Sequence, residues 1–161
     1  MVINEIFYSL QGEGRLAGVP SVFVRLAGCP LRCRWCDTAY AWDESAGTER
    51  SVPDVVEEVL GYETGHVVIT GGEPMFSEEL PKLTAQFSAK RLHVTIETSG
   101  IKFIDKLSCN LMSISPKLSN SDPQGPPATE HTRLRKDLTP LISLVNAHPQ
   151  YQLKFVVNEP S

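Results

Sequence analysis

Cys29, Cys33 and Cys36 fall within eight residues, as Cys29-Pro30-Leu31-Arg32-Cys33-Arg34-Trp35-Cys36. That spacing puts three thiols on one tight loop, close enough to converge on a single metal centre. No fourth ligand is near: Cys109 stands alone in Ser108-Cys109-Asn110, and His66, His93, His131 and His148 show no ligand spacing. Structural zinc takes four closed ligands, typically as two separated pairs, which a lone C-x3-C-x2-C does not supply. Iron–sulfur clusters use cysteine thiolates, and a cubane held by three of them keeps one iron open to a small molecule. The expected centre is therefore a redox-active [4Fe–4S] cluster with a vacant iron. Two plainer readings stand beside it: a zinc knob, and three small buried hydrophobes, the role expected of Cys109.

The composition frames this chemistry. The chain has 161 residues, ordinary apolar and charged fractions, and 15 basic against 19 acidic side chains for a formal charge of −4. That length suits one domain with a real core, and the balance offers no basic surface for nucleic acid. Met1 to Leu10 lacks the basic start and apolar core of a secretory signal, and no run approaches the ~18 apolar residues of a membrane span. The expectation is a cytoplasmic protein with no membrane partner. In that reducing compartment clustered cysteines are metal or redox groups rather than disulfides.

The elements that must position the loop are short apolar runs. Ser21 to Leu26, His66 to Thr70, His93 to Glu97, Leu111 to Ser115 and Gln152 to Val157 read as strands. Ser51 and Asp54 resemble a capping box ahead of Val55, Val56, Val59 and Leu60. Leu80, Leu83 and Phe87 give helical spacing within 77–88, where Pro81 fits only in a first turn, and Leu141, Leu144 and Val145 mark a later helix. Ser119 to Glu130, rich in Pro, Ser and Asp, reads as a surface loop. Strands apolar on both faces and alternating with helices imply a mostly parallel sheet covered by helices, as an open sheet or a partial barrel. Such folds gather their chemistry at the C-terminal ends of the strands. Cys29, Gly71-Gly72-Glu73-Pro74, Thr98-Ser99-Gly100 and Pro116-Lys117 all follow strands in this way. Taken singly, Gly71-Gly72 and Gly12-Glu13-Gly14 are ordinary turns.

The order C-x3-C-x2-C after one strand and Gly-Gly-Glu-Pro after the next resembles the radical S-adenosylmethionine (SAM) superfamily. Further segments narrow the likeness: Ser9-Leu10-Gln11-Gly12-Glu13-Gly14, Arg25 ahead of the first cysteine, Cys36-Asp37-Thr38, Thr70 before the glycine pair, Glu97-Thr98-Ser99-Gly100 and Ser115-Pro116-Lys117. Together they resemble the 7-carboxy-7-deazaguanine synthase family across essentially the whole chain. The resemblance implies a partial TIM-like α/β barrel that binds a [4Fe–4S] cluster, S-adenosylmethionine and Mg2+. Its substrate would be 6-carboxy-5,6,7,8-tetrahydropterin, contracted with loss of ammonia on the route to queuosine and other deazapurines. It further implies an electron donor such as flavodoxin or ferredoxin, and a homodimer.

Carried over residue by residue, the resemblance puts Trp35, Cys36, Asp37, Gly71, Gly72, Glu73, Ser115, Pro116 and Lys117 at the cofactor. Leu10, Gln11, Gly12, Glu13, Arg25 and Thr70 fall at the pterin, Thr38 at Mg2+, and Glu97 at a substrate contact that helps move protons. Each type suits its task. Gln and Glu pair with amide and amino edges, Arg holds a carboxylate bidentately, and Mg2+ takes few protein oxygens.

The family normally continues past the point where this chain stops at Ser161, so a single core domain over 1–161, lacking a C-terminal end, is expected; a bare last strand would otherwise invite aggregation. Two alternatives remain. One is an activating enzyme of the same superfamily, acting on a glycine of a partner protein. The other is a non-catalytic iron–sulfur or zinc module in which Cys109 folds back as fourth ligand.

Overall fold

The computed structural model describes residues 1–158; Ser161, where the sequence reading ends its domain, lies outside them. The runs expected as strands form β2 (Pro20–Leu26), β4 (His66–Gly71), β5 (His93–Thr98), β6 (Leu111–Ile114) and β7 (Tyr151–Leu153), with two further strands, β1 (Val2–Leu10) and β3 (Thr48–Glu49). They make one seven-stranded sheet of order β3-β1-β2-β4-β5-β6-β7. From β2 to β7 every pairing is parallel, while β1 runs antiparallel to β2 and to β3. Val22, Val24, Val67, Val68, Ile69, Val94, Ile96, Met112 and Ile114 are fully enclosed, as a parallel sheet covered on both faces requires.

Helices α1 (Val52–Leu60) and α2 (Leu80–Ala89) cover one face. In α1 the Ser51 hydroxyl accepts from the Asp54 N–H at 3.3 Å, and Val52, Val55, Val56 and Val59 are all buried. Each such valine contributes roughly 1.5–2 kcal/mol. In α2 Pro81 sits in the first turn, where its missing N–H costs nothing. The helix marked by Leu141, Leu144 and Val145 is α4 (Thr139–Ala147).

Three expectations change. β1 carries Asn4 and Glu5 and is mostly half-buried or exposed, so its sequence lacks a strand's alternation, and its pairing with β2 is what makes it one. The loop expected over Ser119 to Glu130 ends at Pro126, because helix α3 (Pro127–Lys136) takes its last four residues; Pro is tolerated in a first turn, and a helix burying only His131 shows little periodicity. β7 stops at Leu153 rather than Val157. Beyond it Lys154 N–H still bonds the Ile114 carbonyl, but the Val156 carbonyl is taken by the Asn120 side chain at 2.8 Å.

Among the described residues no ladder closes the sheet, yet it curls. Arg15, after β1, bonds Gln152 of β7 through its backbone N–H at 2.8 Å and Gln150 through its guanidinium at 3.2 Å. This is the partial barrel, with its mouth at the C-terminal ends of the parallel strands. At the opposite end the rings of His66 and His93 stack at 4.7 Å. Burial, and then the neighbouring His66, hold His93 below its ordinary pKa; burial shifts His131 and His148 the same way. The folded protein thus binds fewer protons than the unfolded chain once pH falls past about 6.5, and stability declines from there downward. His93→Phe is expected to flatten the fall of the urea midpoint between about pH 7 and pH 5, without abolishing it. An unchanged slope would remove His93 from the account.

Candidate functional site

β2 ends at Leu26, and the chain turns through Gly28, at φ +97°, into the cysteine loop. Cys29 N–H donates to the Trp42 carbonyl at 2.8 Å, and Cys36 N–H closes the loop on the Cys33 carbonyl at 3.0 Å. Leu31, Cys33 and Ile101 form a small core of their own, with Cys29, Trp35, Cys36 and Leu134 packed round it. All three thiols are free and line a cavity of about 520 Å3 at the mouth of the barrel, a volume ordinary for a small-molecule site. Burial, with the Glu73 carboxylate adding to it, pushes the Cys29 thiol up to about 12. Burial pushes Cys33 up to about 11 against the opposing pull of Lys117. Loading a metal here must therefore expel protons.

The donor set fits a cluster better than one ion. Among the described residues no three His, Cys, Asp or Glu side chains converge on a single-ion site. Tetrahedral zinc with Zn–S of about 2.3 Å needs its thiolates about 3.8 Å apart, whereas a cubane takes each thiolate on a different iron. Cys109 does not complete the set. It lies just ahead of β6, whose neighbour Asn110 bonds Val94 near the start of β5, and it packs into the main core at the far end of the sheet.

Gly71-Gly72-Glu73-Pro74 leaves β4 directly beside the loop. Gly71 has φ +132°, and a Cβ there would stand 2.2 Å from the Leu26 carbonyl oxygen; one on Gly72 would stand 2.1 Å from that of Gly28. Gly72 and Glu73 N–H groups donate to the Leu26 and Gly28 carbonyls, each at 2.8 Å. The glycine pair thus exists to let two backbones touch. Glu73 is buried, and its carboxylate accepts from Thr98 Oγ1 at 2.6 Å, Ser99 N–H at 2.8 Å, the Ser99 hydroxyl, and Met75 N–H at 3.3 Å. It fastens the β4 turn to the end of β5, and it does not line the cavity that the thiols line.

Trp35, Cys36, Asp37 and Thr38 line the cavity together with Gly71, Gly72, Ser115 and Lys117. Lys117 donates to Ser115 Oγ at 3.0 Å and stands 5.3 Å from the centre of the Trp35 ring. Trp35 Nε1 is buried with no acceptor among the described residues, an unmet donor on a cavity lining of the kind a ligand satisfies. Thr38 Oγ1 donates to Asp37 Oδ1 at 3.1 Å and lies 3.7 Å from Cys36 Sγ. Pro116 is not part of the lining.

The rest of the cavity is charged. Thr70 Oγ1 donates to Glu97 Oε2 at 3.0 Å, and Lys154 Nζ meets Glu97 Oε1 at 2.9 Å and Glu13 Oε2 at 3.6 Å. Arg25 lines the wall with its Nε on Glu5 at 2.7 Å and its guanidinium 5.5 Å from the Phe7 ring. The Gln11 to Glu13 segment divides. Glu13 reaches the cavity, whereas Leu10 is exposed, Gln11 is buried with its amide on Ser21 Oγ at 3.0 Å, and Gly12 is exposed; none of these three lines the cavity. Sequence reasoning missed Lys154, although a lysine inside an otherwise apolar strand run was a signal. It also missed Ser121 and His131, which hold the cysteine loop from behind and carry no motif.

Residues 23–136 match the model of the Radical SAM superfamily, and the chain belongs to that superfamily. Among its relatives it is similar to proteins named 7-carboxy-7-deazaguanine synthase, being 44% identical to the one from Halobacterium salinarum and 40% identical to the one from Rhodopirellula baltica. Those alignments cover 99% and 98% of this chain but 65% and 63% of the relatives, so the chain spans just under two thirds of their length. The fold matches the crystal structure of QueE from Escherichia coli with a TM-score of 0.70 and 30% identity, over 99% of this chain and 84% of that one.

Proposed function

We propose that this protein is a 7-carboxy-7-deazaguanine synthase, a carbon–nitrogen lyase that contracts the ring of 6-carboxy-5,6,7,8-tetrahydropterin with loss of ammonia. The observation that carries the reading is one cavity with two unlike sets of lining groups: three free thiols, and the polar or charged side chains of Glu13, Arg25, Thr70, Glu97 and Lys154. Cys29, Cys33 and Cys36 would hold the [4Fe–4S] cluster. Trp35, Gly71, Gly72, Ser115 and Lys117 would hold S-adenosylmethionine, with Asp37 in the same lining and Glu73 and Pro116 shaping the binding turns. Bound there, cluster and cofactor together supply a 5′-deoxyadenosyl radical.

The protein's own contribution is positioning and proton handling. Arg25 and Lys154 offer cations to the pterin carboxylate, and Glu13 and Glu97 accept from its amino and amide edges. Leu10, Gln11 and Gly12 set the course of the loop that carries Glu13. Glu97, bridged to Thr70 and Lys154, is the group placed to take or return a proton. Thr38 would supply one oxygen to Mg2+, an ion that takes few protein ligands. The 161 residues act as a single core domain. They work as a homodimer in the cytoplasm, drawing electrons from a flavodoxin or ferredoxin.

The test is anaerobic reconstitution with iron and sulfide, then dithionite, S-adenosylmethionine, Mg2+ and the carboxytetrahydropterin. The expected products are 5′-deoxyadenosine and 7-carboxy-7-deazaguanine. 5′-Deoxyadenosine without the deazaguanine would return the chain to an activating enzyme of the same superfamily. Lys154→Met is expected to lower deazaguanine formation at least 100-fold while 5′-deoxyadenosine still forms. Parallel loss of both products would move Lys154 from substrate to cofactor.

A further inference from the structure

The two backbone N–H groups that flank Cys33 are both spent on one buried pair outside the loop. Arg32 N–H donates to His131 Nδ1 at 3.1 Å, and Arg34 N–H donates to the Ser121 carbonyl at 3.0 Å. The pair is itself joined, His131 Nε2 lying 2.9 Å from Ser121 Oγ. Ser121 Oγ gives its proton to the Leu118 carbonyl at 2.6 Å, so it accepts from Nε2–H. Each proton is thereby assigned: Nε2 carries one and Nδ1 presents a lone pair to the loop. His131 is 1% exposed and Ser121 0%. The turn holding Ser121 and the helix holding His131 are stapled by Arg135 on Asp122, at 2.5 and 2.6 Å. Leu134, one turn on, packs against Leu31, Cys33 and Ile101.

We propose that His131, oriented by Ser121, is a positioning residue for the cluster loop, fixing the backbone on both sides of Cys33 before any cluster is present. The physical reason is local. The loop holds no regular element, so without outside partners its amides would face water or a cluster sulfur, and hydrogen bonds to cluster sulfurs alter the cluster's properties. Tying the Arg32 amide to His131 of α3 and the Arg34 amide to the Ser121 turn keeps both off the metal side and sets where the Cys33 thiolate points. The inference rests on membership of the radical SAM superfamily and not on the pterin reaction, so absence of a deazaguanine product leaves it standing.

The first readout needs no metal. In the metal-free protein, amide exchange followed by NMR is expected to be at least tenfold faster for Arg32 and Arg34 in His131→Leu than in the parent, with β4 and β5 amides unchanged. After reconstitution, the variant's cluster is expected to bleach in air at least threefold faster. His131→Asn, whose side-chain oxygen can accept at the position of Nδ1, is expected to restore most of the Arg32 protection. Parent-like exchange at Arg32 overturns the proposal. Acceleration spread evenly through the sheet also overturns it, because that is the mark of general destabilisation. Should His131→Leu fail to fold, Ser121→Ala decides. It keeps the carbonyl on Arg34 and removes only the hydroxyl that orients His131. Faster exchange at Arg32 with Arg34 unchanged supports the role, and no change at Arg32 overturns it.

Discussion

Glu73→Ala is expected to destabilise the metal-free protein by about 3–5 kcal/mol. The carboxylate accepts from Thr98, twice from Ser99 and from Met75, all at the junction of β4 and β5. Hydrogen bonds to a charged group each contribute about 1.5–3 kcal/mol, and removing the acceptor leaves several donors unmet in a dry site. These terms do not add fully, because the hydroxyls of Thr98 and Ser99 can rotate toward other acceptors. Glu73→Gln, which keeps the shape but turns an acceptor into an amide donor facing Ser99, is expected to cost about half as much. Urea titration of the three proteins measures it; an alanine variant within 1 kcal/mol of the parent would mean that the carboxylate is not the fastener described.

Gly72→Ala is the second large effect. The added methyl would lie 2.1 Å from the Gly28 oxygen, 2.5 Å from the Gly28 carbonyl carbon and 3.1 Å from the Ala41 oxygen. All three are main-chain atoms, so no side chain can swing aside. Either the turn or the start of the cysteine loop must move, at a cost of about 2–4 kcal/mol. Because Gly72 lines the cavity and Gly28 leads directly into Cys29, which lines it too, S-adenosylmethionine affinity of the reconstituted protein is expected to fall at least tenfold. Gly65→Ala, with nothing within 4 Å of its added methyl, is the control, expected within ~0.5 kcal/mol of the parent. Equal behaviour of the two variants would refute the close-contact account.

What the sequence made legible was what periodicity and motif can carry. The parallel strands were readable because residues such as Val67 to Ile69 are apolar in succession, and that pattern belongs to a doubly covered sheet. The cysteine loop and the glycine turn were readable because their chemistry requires fixed residue types at fixed spacing. β1 was not, because it is paired on its outer side only at Val2 and Ile3, and Val2 to Leu10 mixes apolar, amide and acidic side chains. Nor was α3, since a helix that buries a single histidine leaves no stripe to count. Lys154 and His131 share a reason for being missed. Each acts through partners distant in sequence, Glu13 and Glu97 in one case and Arg32 in the other, and such pairings exist only once the fold brings the segments together. Gln11 shows the converse, since its place in a motif gave no hint that its amide would be occupied by Ser21.

The turn after β4 has a definite polarity. Gly72 and Glu73 give their N–H groups to the Leu26 and Gly28 carbonyls, Pro74 has none to give, Met75 gives its own to the Glu73 carboxylate, and Phe76 bonds back to Glu73. Five consecutive positions therefore present no free main-chain donor. Glycine-rich turns that cradle phosphate work through the opposite arrangement, a cup of converging N–H groups. Here the main chain leaves a visitor lone pairs and no donor, so the turn is unsuited to an oxyanion.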